Sequence, residues 1–340
     1  MASLLPFKLP NPLEKPESFK KEVLRRIVLL NGASGGLGSG LLVEHPSGGT
    51  GVLTALHVAV RAILQNKLTA SFTRVSNLEI EPIALRLAAR SDAALLKFSR
   101  PLPQGALSIK DWQSLGHESS WSNKDVYSIG LPAFMRRKRS GLRAWWNRAD
   151  GVVIPCKLTS MNADNLVVGE IPVGSRVSSS LAGISGGPVF SEGGELIGIN
   201  TIESVIGNKV TELHITPRQN WGDLIEPFRP GDELDDYEFS RQQFHSHLGL
   251  RNPGTQIFDG PFFHAVVNGG VWRSRSKPEH KWGCYGRIEN ILIDGSRYPI
   301  NIESVYSIQD RHSRDTWQVG FNAEVMTLFR LMSLESVRLG

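Results

Sequence analysis

Three side chains in this 340-residue chain are of the types that nucleophilic acyl transfer requires, and they occur in the order His57, Asp92, Ser185. That chemistry needs a hydroxyl, a neutral imidazole to take its proton, and a carboxylate that fixes the imidazole tautomer and stabilises the imidazolium. Ser185 lies in SSLAGISGGPVF, residues 179–190, with Gly186 and Gly187 after it and Gly183 two positions before. Glycine at 183 lets the backbone turn so that its own N–H and that of Ser185 converge on a developing oxyanion. Taken singly, each residue has a plainer reading: Ser185 in a glycine-rich turn, His57 as a satisfied core histidine, Asp92 as a cap at the entry to a strand. Their joint occurrence in suitable contexts points to chemistry.

The elements that must position them are short strands. GVLTALHVAV predicts a strand running into His57 and then a helical turn, and in ARSDAALLKF Asp92 immediately precedes an apolar strand. From Leu41 onward, LLV, GVLTAL, TASFT, IEPIALRLA and AALLKF are separated by Gly, Pro, Asn and Ser; after Gly116 come VYSIGLP, GVVIPCKLT, NLVVGEI, GPVFS, ELIGINT and KVTELHIT. Frequent turn signals between short apolar runs predict two successive antiparallel β halves. Ahead of them, PESFKKEVLRRIVLL, residues 16–30, spaces Phe19, Val23, Leu24, Ile27, Val28 and Leu30 as an amphipathic helix would, with Ser18 as its N-cap. NGASGGLGSG then breaks the pattern. The acid-rich PGDELDDYEFS, residues 230–240, reads as a solvated linker. Beyond it, PFFHAVVNGG, CYGRIENILIDG and RYPINIESVYSI are strand-like, with a tight hairpin turn at Asp294–Gly295. NAEVMTLFRLMSLESV has helical periodicity, with Asn322 as a cap.

TALHV, SDAALLKF and GISGGPVF resemble, in order and context, the signature segments of trypsin-like (chymotrypsin-fold) serine proteases, particularly disulfide-free bacterial and HtrA-like members. The resemblance spans residues 35–220. It implies a mainly β fold of two six-stranded antiparallel β-barrels of the chymotrypsin type, with His57 and Asp92 on the first, Ser185 on the second and the site in the cleft between them. His57 would be the general base, Asp92 its orienting acid and Ser185 the nucleophile, with the amides of Gly183 and Ser185 as the oxyanion hole. Ser179 would be the floor of the primary specificity pocket, with Ser180 beside it, and LIGINTIES its wall, with Thr201, Ile202 and Glu203 lining substrate. Many secreted members carry Asp directly before the nucleophile, to pair with a newly cut N-terminal amine; Ile184 stands there, so that activation switch is not expected. A serine floor argues against strict Arg or Lys specificity, although Glu203 could attract a basic side chain. The expected organisation is an N-terminal extension over 1–34, a protease unit over 35–228 dividing near 105–120, an acidic linker over 229–241, and a smaller β-rich C-terminal domain over 242–340.

The composition agrees with a turn-rich chain that has more strand than helix: 40% hydrophobic and 21% charged residues, with 34 Gly and 19 Pro. No run approaches the roughly 18 apolar residues of a membrane span, so no membrane contact is expected. The opening MASLLPFKLPNPLEKPESFKK does not read as a secretory signal. Cys156 and Cys284 alone make no disulfide framework, and a reducing, cytoplasmic setting follows. Much of the +5 net charge lies in RRKRSGLRAWWNR, Arg136 to Arg148. That stretch reads as a solvated loop, as a contact for a partner or nucleic acid with Trp145 and Trp146 as stacking faces, or as a segment the protease itself cuts. His245, His247, His280 and Cys284 lack the spacing of a zinc site, so neither metal nor cofactor is expected. Trp272, Trp282 and Trp317 read as core residues. The function these features imply is an intracellular serine endopeptidase acting on protein or peptide, by analogy of fold a regulated bacterial stress or defence protease. Its final domain would recruit substrate, sense a ligand or bind a partner. The rival readings are a protease-fold binding module without activity and a nucleic-acid-binding protein using Arg136 to Arg148.

Overall fold

The structure is a computed structural model, described here over residues 16–32, 35–45, 49–59, 68–72, 79–88, 91–98, 107–108, 123–132, 151–161, 166–177, 181–206, 209–228, 232–233, 237–240, 256–259, 263–275, 282–293 and 296–308. The chain divides into two compact units, Met1–Leu234 and Asp235–Gly340. Strands dominate both.

The N-terminal helix, α1, covers Pro16–Leu24 and stops six residues before the predicted end at Leu30. It starts on a proline, whose fixed φ and missing N–H suit the first helical position, so Ser18, the expected cap, lies inside the first turn. Ile27–Gly32 is instead strand β1, buried at all six positions. The β-branched pair Ile27–Val28 and the adjoining leucines suit a strand covered on both faces, whereas an amphipathic helix would leave one face exposed. α1 buries Phe19, Val23 and Leu24, and Phe19 meets Phe190 edge-on with ring centroids 5.4 Å apart.

The first sheet comprises β1, β2 (Gly35–Glu44), β3 (Thr50–Thr54), β4 (Thr69–Phe72), β5 (Glu79–Ile80), β6 (Pro82–Leu87), β7 (Ala94–Phe98) and β8 (Leu107–Ser108), in the order β5-β4-β1-β2-β3-β7-β6, with β8 parallel to β2. Its founding strand β1 falls within the stretch expected to precede the protease unit, and the glycine-rich segment predicted as a break is most of β2. Among the described residues this sheet is a curled half-barrel and not a ladder-closed one. Its two ends meet through the chain itself, at Glu81 between β5 and β6, where Pro82 offers no backbone donor.

The second sheet closes. β9 (Asp125–Gly130), β10 (Val152–Met161), β11 (Val167–Glu170), β12 (Pro188–Ser191), β13 (Leu196–Ile206) and β14 (Lys209–Pro217) form a barrel in the order β10-β11-β14-β13-β12-β9. Inward residues, among them Val126, Ile154, Leu158, Val189, Leu213 and Ile215, fill it. Together the two sheets give the chymotrypsin-type, mainly β architecture that the sequence implied.

After β14, a 3-10 segment over Arg218–Ile225 leads the chain back across the first sheet. Leu85 N–H donates to the Asp232 carbonyl at 2.8 Å, Glu233 bridges to Ala84, and Arg86 pairs with Asp232 (3.2 Å) and Glu226 (3.1 Å) while also donating to the Pro227 carbonyl. Asp232, expected in a solvated linker, is therefore 2% exposed. The reason is that Arg86 is itself buried, and a buried charge needs a partner. Tyr237–Ser240, the far end of the same stretch, is strand β15 of the second unit.

That second unit is an antiparallel sheet. β17 (Phe263–Ser274), β18 (Trp282–Ile293) and β19 (Ser296–Ile308) run as a meander, and β15 and β16 (Gln256–Asp259) share the other edge of β17. Ile293 pairs with Ser296, the register that a two-residue hairpin at Asp294–Gly295 produces; those two residues, and the helix expected from Asn322, lie outside the described residues.

Candidate active site

β3 and β7 are antiparallel neighbours with Thr54 opposite Ala94. The chain leaving β3 and the chain entering β7 therefore share one end of the sheet, which brings His57, three residues after Thr54, beside Asp92, two before Ala94. His57 sits in a helical turn, Leu56–Ala59, in which Ala59 N–H donates to the Ala55 carbonyl at 3.3 Å. Asp92 takes hold of His57 twice: Oδ1 accepts the backbone N–H at 2.9 Å and Oδ2 meets Nδ1 at 2.6 Å. An ionised carboxylate can only accept. Against such a carboxylate, a neutral His57 ring carries its proton on Nδ1. The side chains are 10% and 14% exposed, so water competes little for this bond.

Ser185 lies in two back-to-back turns, closed by Ile184 N–H to the Leu181 carbonyl (2.9 Å) and Gly187 N–H to the Ile184 carbonyl (2.8 Å). Gly183 and Gly186 have φ of +97° and +80°, a region that side-chain-bearing residues avoid. Ile184 is 3% exposed and anchors the turn in the core of the barrel. The turn is then held by β13: Gly186 N–H donates to the Asn200 carbonyl and Asn200 N–H to the Gly187 carbonyl, both at 2.8 Å. Asn200 Nδ2 adds a bond to the same Gly187 oxygen at 3.0 Å, and Ser128 Oγ donates to Asn200 Oδ1 at 2.8 Å.

The same turn is pressed against the first sheet. A Cβ on Gly186 would overlap the Ser39 carbonyl and the Thr54 hydroxyl and stand 2.9 Å from the Ala55 nitrogen. The residue after Ser185 thus rests on the strand end that leads into His57. Ser39 N–H donates to the Ser185 carbonyl at 2.8 Å, and Ser39 Oγ to the Gly183 carbonyl at 2.7 Å. The Ser185 hydroxyl donates its one proton to the Thr201 carbonyl at 2.9 Å.

Of the residues expected to line substrate, Thr201 is buried, its hydroxyl 2.7 Å from that of Thr216. Ile202 is on β13, its side chain outside the described residues. Glu203 Oε2 accepts the Leu181 N–H, so this carboxylate braces the segment leading to Ser185. Ser179 and Ser180 lie outside the described residues, as do the basic stretch Arg136 to Arg148, His245, His247, His280 and Trp317. Trp272 falls on β17, and Trp282 and Cys284 on β18. Among the described residues no three His, Cys, Asp or Glu side chains gather as a metal site would require. No described helix is long and apolar enough to cross a membrane.

Ser39, Thr54, Ser128 and Asn200 escaped the sequence reading. Each is a polar residue within a strand, and all four are at most 1% exposed. Such residues must find hydrogen-bond partners, and that requirement was the available signal.

Residues 38–199 match the family model described as a trypsin-like peptidase domain. No curated protein matches the chain by sequence. Among solved structures, the Rv3671c protease of M. tuberculosis in its inactive form is 16% identical, with a TM-score of 0.42, over 65% of this chain and 98% of that one. Its active form gives 16%, 0.43, 67% and 96%. The MamO protease domain from Magnetospirillum magneticum gives 18%, 0.40, 58% and 94%. The architecture rests on the two sheets described above and not on these likenesses.

Proposed function

Because the chain carries a trypsin-like peptidase domain on a chymotrypsin-type pair of β-sheets, we propose that it is an intracellular serine endopeptidase working through an acyl-enzyme on Ser185. The observation that carries this reading is the double grip of Asp92 on His57 at the end of the strand against which the Ser185 turn is packed. His57 Nε2 takes the Ser185 proton as Oγ bonds to the scissile carbonyl carbon, and the amides of Gly183 and Ser185 stabilise the resulting oxyanion. His57 then gives that proton to the leaving amine, and a water activated in the same way releases the acid.

Ser185 must first leave the Thr201 carbonyl. A hydrogen bond of this kind is worth about 1 kcal/mol net, so the swing towards His57 costs roughly a factor of five in population, which a bound substrate offsets easily. In this reading the strand carrying Thr201, Ile202 and Glu203 walls the specificity pocket, while the roles expected of Ser179 and Ser180 fall outside the described residues. The Glu203 carboxylate makes that wall negative, which disfavours acidic substrate side chains. The free, buried Cys156, its thiol pushed up to about 12 by burial, supports a reducing cytoplasmic setting in which no disulfide is needed. The separate C-terminal sheet is available to recruit substrate or a regulatory partner.

The test is labelling by a fluorophosphonate probe together with cleavage of a peptide library. Wild type should react, and Ser185→Ala should not. Labelling that survives in Ser185→Ala, or a wild type that neither labels nor cleaves, would overturn the reading; the second result would leave a silent protease-fold module.

A further inference from the structure

Glycine at 183 permits the turn that carries both oxyanion amides, but it cannot enforce it. A residue without Cβ populates positive and negative φ about equally, so the Gly183 peptide can rotate at little cost unless something holds it. Ile184 N–H, in the same peptide unit as the Gly183 carbonyl, donates to the Leu181 carbonyl and holds that unit at one end, but this bond does not engage the Gly183 carbonyl itself. The group that does is the hydroxyl of Ser39, on a strand of the other sheet.

All the hydrogen-bonding groups of Ser39 are used, and it is 0% exposed. Its N–H donates to the Ser185 carbonyl at 2.8 Å, its Oγ–H donates to the Gly183 carbonyl at 2.7 Å, its Oγ accepts the Leu131 N–H at 3.0 Å, and its carbonyl accepts the Thr54 hydroxyl at 2.7 Å. The first two bonds grip the first and last carbonyls of Gly183-Ile184-Ser185, the three-residue segment whose outer amides the proposed function assigns to the oxyanion. The third fixes the hydroxyl from the second barrel, at the end of β9. With one donor and one acceptor bond in place, the Ser39 hydroxyl has a single orientation. A serine within the buried run 37–43, flanked by Gly38 and Gly40 and followed by buried Leu41 and Leu42, is not needed for packing, which alanine would serve as well.

We propose that Ser39 is a positioning residue for the oxyanion hole: its hydroxyl, on the Gly183 carbonyl, holds the peptide unit that links the Gly183 and Ser185 amides and so fixes how those two N–H groups stand relative to each other. The proposal rests on the reading of Ser185 as nucleophile. Ser39 touches no substrate; it acts through the Gly183–Ser185 backbone.

Ser39→Ala in the full chain removes the hydroxyl and nothing else. Complete loss of one oxyanion donor costs a factor of about 10²–10³ in turnover, and a donor that is present but free to rotate should cost about 10–100-fold. The expected result is a fall of that size in kcat and in the fluorophosphonate labelling rate, with KM changed less than about two-fold. The pH profile should keep its shape, because the His57–Asp92 pair is untouched. Ser71→Ala is the structural control: it removes a hydroxyl of the same sheet, the one on β4 that accepts Asn31 Nδ2 at 2.7 Å, and leaves the Gly183 grip intact, so kcat should stay within a few-fold of wild type. If Ser39→Ala does not fold, Ser39→Cys, which fills the volume with a much weaker donor, takes its place, and a reduced kcat is again expected. Wild-type kcat in either folded Ser39 variant, or an equal loss in Ser71→Ala, overturns the proposal while leaving the nucleophile assignment standing. A wild type that does not label removes the premise instead, so the two failures are distinguishable.

Discussion

Gly186→Ala should damage this protein far more than one methyl group usually does. Gly186 has φ +80°, where alanine costs about 1–2 kcal/mol. The new Cβ would also overlap the Ser39 carbonyl and the Thr54 hydroxyl, and lie 2.9 Å from the Ala55 nitrogen. None of these is the far end of a flexible side chain: Ser39 and Thr54 are fully buried and bonded to each other at 2.7 Å. Relief therefore requires the Ser185 turn to move about 1 Å away from the first sheet, at an overpacking cost of about 1–3 kcal/mol. The total destabilisation is about 2–5 kcal/mol. Because His57 lies just beyond Ala55, a displacement of that size should also lower turnover about 10²-fold in whatever fraction folds. Gly193→Ala is the internal comparison: its Cβ would meet only the Ser191 hydroxyl, at 3.6 Å, and should change stability by less than about 0.5 kcal/mol. Urea midpoints and fluorophosphonate labelling rates of the two variants decide the matter. A Gly186→Ala protein with wild-type midpoint and rate would refute the reasoning that this glycine sets the distance between the two sheets at the site.

Asp92→Asn should keep the fold but allow the wrong imidazole tautomer, lowering kcat by about 10³–10⁴-fold; a loss below ten-fold in a peptide assay would contradict the role given to the 2.6 Å bond. His45 donates to the Leu224 carbonyl at 2.9 Å, and burial holds its pKa below the usual 6.5, against the raising effect of that carbonyl and with Arg86 and Lys97 adding to the depression. Its folded pKa lies below its unfolded one, so the unfolded chain binds more protons. The stability it contributes is complete above about pH 6.5 and declines as pH falls from there through the folded value. His45→Gln should flatten that decline in urea melts run across pH 5–8, and an unchanged slope would count against it. Arg86→Met leaves Asp232 buried without its cation and should cost about 3–5 kcal/mol, whereas Arg86→Met with Asp232→Leu should recover most of it. Equal stability of the single and double variants would show that the pair is not what buries this segment.

What the sequence showed best was the order of the strands and the three residues at their ends. Each apolar run from Leu41 to Thr216 became a strand, because runs of four to eight residues bounded by Gly, Pro and Asn leave few other ways to bury both faces. The helix was misjudged at its C-terminal half, since Ile27, Val28 and Leu30 satisfy helical spacing and continuous burial equally well. Only the partner strands, β2 and β4, select the latter. The acidic stretch misled for a different reason. Composition reports an average and does not mark one acid among its neighbours; Asp232 is singled out only by the position of Arg86, about 146 residues earlier. At the site, the His57–Asp92 contact and the glycine turn around Ser185 fall in segments with distinctive neighbours, while Ser39 and Asn200 carried no such mark, because their partners are mostly backbone atoms that no residue type reveals.

The buried polar residues of the first unit fall largely into two groups, and the division says what they do. Ser39, Thr54, Ser128, Asn200, Thr201 and Thr216 surround the turn that carries Ser185; His45, Arg86 and Asp232 hold the segment that crosses the first sheet after β14. Apolar burial is non-directional and would stabilise several slightly different dockings of the curled sheet on the barrel. A buried hydroxyl or carboxylate, by contrast, costs about 1–3 kcal/mol when its partner is displaced, so these two groups select one docking. The hairpin of β6 and β7 carries Asp92 at its tip, and the crossing segment holds that hairpin at Arg86, Leu85 and, through Ser91 Oγ to the Asn220 carbonyl at 2.9 Å, at the residue next to Asp92 itself. The first group fixes where the serine turn stands relative to His57, and the second fixes where the carboxylate stands. The 2.6 Å contact between His57 and Asp92 is thus flanked by two sets of buried hydrogen bonds, one of them anchored in the stretch just before Asp235, where the first unit ends.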